Sequence, residues 1–152
     1  MNAAPEARPL LVVGSVNADV VIKVPRLPKA GETLKAGGGD VLPGGKGANQ
    51  AVAAAKMGAR VRFAGVFGSD SHGKMLRETM QQAGVCTELS TTSAGPSGQA
   101  IILLEPSGAN TIVLVPGANA DWSLELPSGL LDAIAASVEV LKGPLFSDYN
   151  IT

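Results

Sequence analysis

Two short clusters of polar residues carry the side chains best suited to chemistry. The first is Asn17 with Asp19, two positions apart, so an extended chain places both side chains on one face. A carboxylate that only accepts, beside an amide that donates and accepts, suits a ligand with several hydroxyl groups. The alternative is an Asx-turn, in which the same side chains bond to their own backbone.

The second cluster is the segment "PGGKGAN", which leads into an Ala-rich run. Gly44, Gly45 and Gly47 allow the backbone to approach a ligand closely, and backbone N–H groups point outward at a helix start. Lys46 supplies a cation with three donors, and Asn49 follows about one turn later. This mixture predicts a site for an anionic or polyhydroxylated ligand. The alternative is a tight turn with an exposed lysine.

Two common phosphate-binding motifs do not fit this segment. A P-loop needs glycine where Asp40 stands, and serine or threonine where Gly47 stands. A dinucleotide fingerprint that begins at Gly45 needs glycine or alanine where Gln50 stands. The glycines are therefore predicted to serve another ligand.

The composition excludes several classes of function. The chain has 152 residues, 45% of them hydrophobic, which suits one domain with a buried core. A net charge of −1 and 3% aromatic residues predict binding to neither nucleic acid nor a membrane. One cysteine excludes an internal disulfide and any multi-cysteine metal site, and no metal site is predicted. Without a secretory apolar region or a long apolar run, a cytoplasmic location is expected.

The hydrophobic pattern alternates between strands and helices. A continuous apolar run at 10–13 predicts a buried parallel strand. Strands separated by single helices predict a parallel sheet covered by helices, with ligands near the carboxyl ends of the strands. The other predicted elements are strands at 20–24, 60–66, 85–89 and 138–141, helices at 46–57, 70–83 and, more weakly, 123–136, and short extra strands within 33–42, 98–105 and 111–115.

Five segments resemble, in order and spacing, the amino-terminal half of the ribokinase-like sugar kinases of the PfkB family. They read "VVGSVNADVV", "LPKAGETL", "GGKGANQAVAAAKMGA", "GVFGSDSHG" and "VPGANA", and "GGKGANQAVAA" is the most specific part. The resemblance covers about residues 10–145. It predicts a flexible N-terminus at 1–9 and a non-family tail at 146–152.

The resemblance implies an α/β fold: a ribokinase-like parallel sheet with flanking helices, plus a small β-sheet lid, in a truncated form. The extra strands within 20–42 and 98–115 would form the lid. Ala100 and Ile102 would lie against the apolar face of the sugar, although packing inside the lid is the alternative. The implied substrate-binding positions are, in addition, Asn17, Asp19, Gly44, Gly45, Lys46 and Asn49.

The family reaction is ATP-dependent phosphorylation of D-ribose to D-ribose 5-phosphate, with nucleosides or fructose as alternative substrates. The resemblance implies ATP, Mg²⁺ and a monovalent cation for the full-length enzyme, and a catalytic Asp in a "GAGD"-type segment. This sequence contains no such segment. We therefore expect no catalytic residue here, no bound cofactor, and no activity of the chain alone. The family also implies a homodimer formed through the lids.

One position departs from the family pattern. Lys142 stands in "LKGPL" where such kinases have a sugar-binding Glu, and a cation cannot accept a hydrogen bond from a hydroxyl. The lysine at this position and the missing "GAGD"-type segment leave two alternatives to the sugar-binding half of a kinase. The first is a non-catalytic binding or dimerisation module, and the second is a truncated gene product.

Overall fold

The chain folds into a parallel main sheet and a separate lid sheet. The structure, a computed structural model, describes residues 8–122, 127–137 and 139–142. Its elements are β1 (Leu10–Val13), β2 (Asn17–Lys23), β3 (Gly38–Gly44), α1 (Lys46–Lys56), β4 (Val61–Ala64), β5 (Val66–Phe67), α2 (Ser71–Gln82), β6 (Val85–Cys86), β7 (Thr91–Thr92), β8 (Gly98–Leu104), β9 (Asn110–Val115), a 3-10 helix (Gly117–Ala120), α3 (Leu130–Ala136) and β10 (Glu139–Lys142).

The main sheet has the strand order β10-β1-β4-β6, with all neighbours parallel. Both of its faces are covered, which explains why β1 reads as an unbroken apolar run. On one face, Val12 and Phe63 pack with apolar residues of α1 and α2. On the other face, Leu11 packs with Leu130 and other apolar residues that include Ala133 of α3. The predicted α/β fold with a parallel sheet and flanking helices is confirmed.

The start of α2 is tied to the start of the lid strand β8. The Asp70 carboxylate caps α2 by accepting from the Gly73 N–H at 2.9 Å. The same carboxylate accepts from the Ser97 N–H at 3.0 Å and from the Ser97 hydroxyl at 2.6 Å. Burial disfavours the Asp70 anion, but these hydrogen bonds and nearby His72 outweigh it, so the pKa of Asp70 lies below its ordinary value.

The lid sheet has the strand order β3-β2-β8-β9. Its central pair, β2 and β8, is parallel, and the outer strands β3 and β9 are antiparallel to their neighbours. Because β2 follows β1 after only three residues, the lid begins directly at the carboxyl end of a main-sheet strand. The predicted small lid sheet is therefore present. A separate pair, β5 and β7, lies outside both sheets.

Several element bounds differ from the sequence predictions. The lid strand predicted at 20–24 runs from Asn17 to Lys23, because β8 and β3 pair with it along that whole length. The strand predicted at 60–66 is two strands, which pair with different partners on either side of Gly65. The strand predicted at 85–89 ends at Cys86, and a turn closes from the Ser90 N–H to the Thr87 carbonyl.

The third helix is shorter than predicted. It begins at Leu130, since Gly129 has a left-handed backbone with φ of 80°, and residues 123–126 lie outside the described part of the chain. The backbone of Lys142 pairs with Val13 at the edge of the main sheet. Its side chain lies outside what the structure describes, as do the predicted tail at 146–152 and most of the predicted flexible N-terminus.

Candidate functional site

A cleft of about 320 Å³ lies between the inner face of the lid sheet and the start of α1. One wall is polar, and the other is formed by apolar side chains of the two lid strands β8 and β9. The cleft is lined by Ser15, Asn17, Asp19, Gly45, Lys46, Asn49, Ala100, Ile102, Ile112 and Leu114. Seven of the eight substrate-binding positions predicted from the sequence therefore meet in one place.

Strand register brings the polar and apolar walls together. Asp19 pairs with Ala100, and Ala100 pairs with Leu114, so these three residues form a row across the sheet. Side chains two positions apart point to the same face of a strand, which adds Asn17 and Ile102 to the cleft side. Asn17 is buried, whereas Asp19 is partly exposed to the cleft. The spacing argument for Asn17 and Asp19 thus holds.

A glycine turn brings the start of α1 against the β1–β2 connection. Gly45 has φ of 94°, a left-handed conformation that other residues rarely adopt. A Cβ atom at this position would lie 2.7 Å from the Cα of Val16 and 2.8 Å from the Asn17 nitrogen. The Ala48 N–H completes the contact by donating to the Ser15 carbonyl at 3.1 Å. Lys46 and Asn49 are carried to the cleft by this turn.

Gly44 has a different place from the one predicted. It is not among the residues that line the cleft, and it is buried under the Asp19 side chain. A Cβ atom on Gly44 would lie 2.1 Å from Asp19 Oδ2. Gly44 therefore leaves room for the carboxylate and does not itself face the ligand space.

The carboxyl group of Asp19 is the acidic group of the cleft wall. Burial raises its pKa above the ordinary value, because removal from water disfavours the charged form. In its ionised form the group only accepts hydrogen bonds. It therefore suits a ligand that presents hydroxyl protons.

Asn119, which lies in the 3-10 helix, was not among the predicted site residues. It is 3% exposed, and its side-chain nitrogen donates to Asn17 Oδ1 at 2.8 Å. The segment "VPGANA" that contains it was noted only as part of the family resemblance. Ile112 and Leu114 were also missed, because their place in the cleft depends on β9 pairing with β8 and on β8 pairing with the distant strand β2. Ser15, in the β1–β2 connection, was missed as well.

The cleft can bind a compact polyhydroxylated molecule that has one apolar side.

Among the described residues, no group of three or more His, Cys, Asp or Glu side chains could hold a metal ion. No helix in the described part of the chain has the length and apolar character needed to cross a membrane.

The chain is similar in sequence to ribokinases from several organisms. A "Ribokinase" of Haemophilus influenzae is 48% identical over 115 residues, which cover 75% of this chain and 38% of that protein. A "Ribokinase" of Arabidopsis thaliana is 44% identical over 116 residues, which cover 74% of this chain and 31% of that protein. The chain thus spans less than half the length of these relatives.

The fold has solved counterparts. The structure of Arabidopsis thaliana ribokinase complexed with ribose and ATP matches with a TM-score of 0.80 and 39% identity, covering 90% of this chain and 45% of that one. The family model described as "pfkB family carbohydrate kinase" matches residues 7–149. With nearly the whole sequence inside that match, and the lid and cleft in place, the chain belongs to the pfkB family of carbohydrate kinases.

Proposed function

We propose that this chain forms the sugar-binding half of a ribokinase-type enzyme. In the proposed reaction, the O5 hydroxyl of D-ribose attacks the γ-phosphorus of ATP, and the products are D-ribose 5-phosphate, ADP and a proton. The observation that carries the proposal is the meeting of seven predicted positions in one cleft. It is supported by the Arabidopsis thaliana relative, whose structure was solved with ribose and ATP.

Each wall of the cleft has a proposed part in sugar binding. The Asp19 carboxylate accepts hydrogen bonds from sugar hydroxyls, and the amides of Asn17 and Asn49 donate to hydroxyl oxygens. Lys46, at the first position of α1, adds a cationic donor. Ala100 and Ile102 pack against the carbon face of the ring, which has no polar atoms to satisfy.

The cofactors are proposed to lie elsewhere in the family enzyme. ATP supplies the phosphoryl group, and Mg²⁺ supplies charge stabilisation when it is bound with the nucleotide. This sequence has no "GAGD"-type segment, so we assign Mg²⁺, a monovalent cation and the catalytic Asp to other segments of the family enzyme. Because ATP is an intracellular nucleotide, we propose a cytoplasmic location.

We retain residues 10–145 as the proposed sugar-binding and lid unit, with 1–9 and 146–152 as its flanks. Phosphoryl transfer depends on positioning and on charge stabilisation around the phosphates. The chain alone is therefore predicted to bind D-ribose without phosphorylating it.

One sample tests both parts of this proposal. The purified chain is first shown to be folded by far-UV circular dichroism. D-Ribose is then titrated while backbone amide signals are followed by NMR, with L-ribose as the control sugar, and phosphorus NMR follows ATP. We expect saturable shifts at Asn17, Asp19 and Asn49 with D-ribose and no product. A folded chain that does not bind D-ribose refutes the sugar assignment. Formation of ribose 5-phosphate refutes the assignment of catalysis to other segments.

A second candidate function is dimerisation through the lid, which the outer face of the lid sheet favours. A row of apolar side chains crosses all four lid strands on this face: Val41, Val20, Ile101 and Val113. Val41 is 46% exposed and Val113 is 55% exposed. An apolar row of this kind is typical of a protein–protein interface.

Light scattering after size-exclusion chromatography tests this candidate. We expect a dimer for the native chain and a monomer for Val113→Asp. The matched control is Met57→Asp, which changes an 88% exposed apolar residue directly after α1 and should leave the dimer intact. A monomeric native chain at high concentration would remove the candidate.

A further inference from the structure

The side chain of Asn119 is hydrogen-bonded through both its nitrogen and its oxygen at the junction of the two sheets. Its nitrogen donates to Asn17 Oδ1 at 2.8 Å, to the Val16 carbonyl at 3.0 Å and to the Pro116 carbonyl at 3.3 Å. Its oxygen accepts from the Val16 N–H at 2.9 Å. Because donors and acceptors are both used, the orientation of the Asn119 amide is determined by its partners.

That orientation also determines the amide of Asn17. The oxygen of Asn17 receives the hydrogen bond from Asn119, so its nitrogen is directed away from that partner. Asn17 is 7% exposed and lines the cleft. The group that it offers to a ligand is therefore its N–H donor. Two positions along the strand, ionised Asp19 offers acceptors only.

The pair fits only because residue 98 is a glycine. A Cβ atom on Gly98 would lie 2.0 Å from Asn119 Nδ2 and 2.7 Å from Asn17 Oδ1. Gly98 pairs directly with Asn17 in the lid sheet. Three distant segments, at 16–17, 98 and 116–119, thus converge on one hydrogen bond.

We propose that Asn119 is a positioning residue that holds Asn17 as a hydrogen-bond donor toward the cleft. Asn17 and Asp19 then form a donor–acceptor pair that recognises one sugar hydroxyl from both sides, or two vicinal hydroxyls in a fixed order. If the amide of Asn17 turned over, two acceptors would face a hydroxyl that has only one proton to donate. The inference rests on the proposed sugar-binding function. It assigns a positioning role to Asn119, which contacts Asn17 but does not line the cleft.

A double-mutant cycle on ribose binding tests the inference. Asn119→Ala is expected to weaken D-ribose binding about 5- to 10-fold, although Asn119 does not line the cleft. Asn17→Ala should weaken it at least as much. The double variant should bind no more weakly than Asn17→Ala within about twofold, because Asn119 acts through Asn17. Independent losses that multiply would overturn the proposal. The matched control Asn110→Ala, on an exposed residue of the lid hairpin, should bind like the native chain.

A second measurement separates this inference from the sugar assignment. The side-chain amide signals of Asn17 are recorded by ¹⁵N NMR without ribose. We expect one resolved pair of signals in the native chain, and a changed chemical shift and line width in Asn119→Ala, because the Asn17 oxygen loses its hydrogen-bond partner. Unchanged signals in the variant overturn the positioning role even if ribose binds. A native chain that binds no ribose refutes the proposed function, and the amide signals still decide the inference.

A conservative variant covers the case in which Asn119→Ala does not fold. Asn119→Asp retains an acceptor for the Val16 N–H and replaces the donor to Asn17 by a second acceptor. Its expected result is a changed Asn17 amide signal and the same loss of ribose affinity. Native signals and native affinity in this variant would overturn the proposal.

Discussion

In the main sheet, Leu11, Val12 and Phe63 have no exposed surface, whereas every residue of the lid strand β9 is exposed, with Ile112 at 52%. Both sheets have four strands. The main sheet is stabilised by burial between helices, and the lid sheet by strand pairing and by its connections to the main sheet. The lid therefore keeps apolar surface available for a ligand or partner, at the expense of its own stability.

The largest expected effect contrasts one apolar residue from each sheet. Phe63→Ala removes a fully buried ring that packs edge-to-face on Phe67, with ring centroids 6.2 Å apart. We expect it to lower the free energy of unfolding by about 3–5 kcal/mol. Ile112→Ala, in the lid, should lower it by less than about 1 kcal/mol. Urea unfolding followed by circular dichroism measures both.

The variants Phe63→Ala and Ile112→Ala can also be compared by ribose binding, in which Ile112→Ala is expected to have the specific effect. Ile112 lines the cleft, so Ile112→Ala is expected to weaken ribose binding although it hardly changes stability. Equal destabilisation by the two variants would show that the lid is as tightly packed as the main sheet, and the contrast would fail.

The next effect concerns the junction of the two sheets. Gly45 and Gly58 both have positive φ, at 94° and 91°, but of the two only Gly45 would bring a Cβ atom against backbone atoms. Gly58→Ala is expected to cost about 1–2 kcal/mol of stability from the left-handed conformation alone. Gly45→Ala should cost more and should also abolish ribose binding, because the turn must move away from Val16.

Thermal unfolding and ribose titration of the two glycine variants provide the measurement. Gly58→Ala serves as the control because it also replaces a glycine of positive φ, at a position that does not line the cleft. If both variants lost ribose binding equally, the close contact at Gly45 would have no special role.

The smallest effect on stability, with a clear effect on binding, is expected at Asp19. Asp19→Asn should weaken ribose binding roughly 10- to 100-fold, since a hydrogen bond to a charged group contributes about 1.5–3 kcal/mol. It should slightly stabilise the chain, because it removes a charge that burial disfavours. Calorimetric titration and thermal unfolding at neutral pH check the two opposite signs.

The pH dependence follows from the raised pKa of Asp19. Between the unfolded pKa near 4 and the higher folded pKa, the folded chain binds more protons, so Asp19 makes stability fall as pH rises. Ribose binding changes in the opposite direction, because protonation removes the acceptor as pH falls through the folded pKa. The Asn variant should lack both dependences. A native binding curve that is flat down to pH 4 would contradict this role for the carboxylate.

The sequence was most informative where local signals and burial agree. The unbroken apolar run of β1 and the helix α2, with Asp70 at its start, match their predicted positions closely. The lid strands were harder to place. β2 begins at polar Asn17, and its extent depends on pairing with β3 and β8 rather than on its own pattern.

The cleft shows the same division between local and distant information. Asn17 with Asp19 and the turn around Gly45 could be identified from residue type and spacing. Asn119 could not, because its role depends on a hydrogen bond to a residue about one hundred positions earlier. Ile112 and Leu114 join the cleft only through the β8–β9 register. Neighbouring glycines can have different roles: Gly44 leaves room for the Asp19 carboxylate, and Gly45 forms the turn before α1.

The pairing of β2 with β8 has a consequence for how the chain folds. Asn17 meets Gly98, about eighty residues further along, so this pairing has a high contact order and carries a large loop-closure entropy. The antiparallel pair of β2 and β3 closes over a much shorter loop and can form early. During synthesis the lid sheet therefore remains incomplete until β8 has left the ribosome. Until then, β2 and β3 can form only a two-stranded ribbon. The main sheet is completed later still, because its edge strand β10 pairs with β1 about 130 residues earlier in the chain.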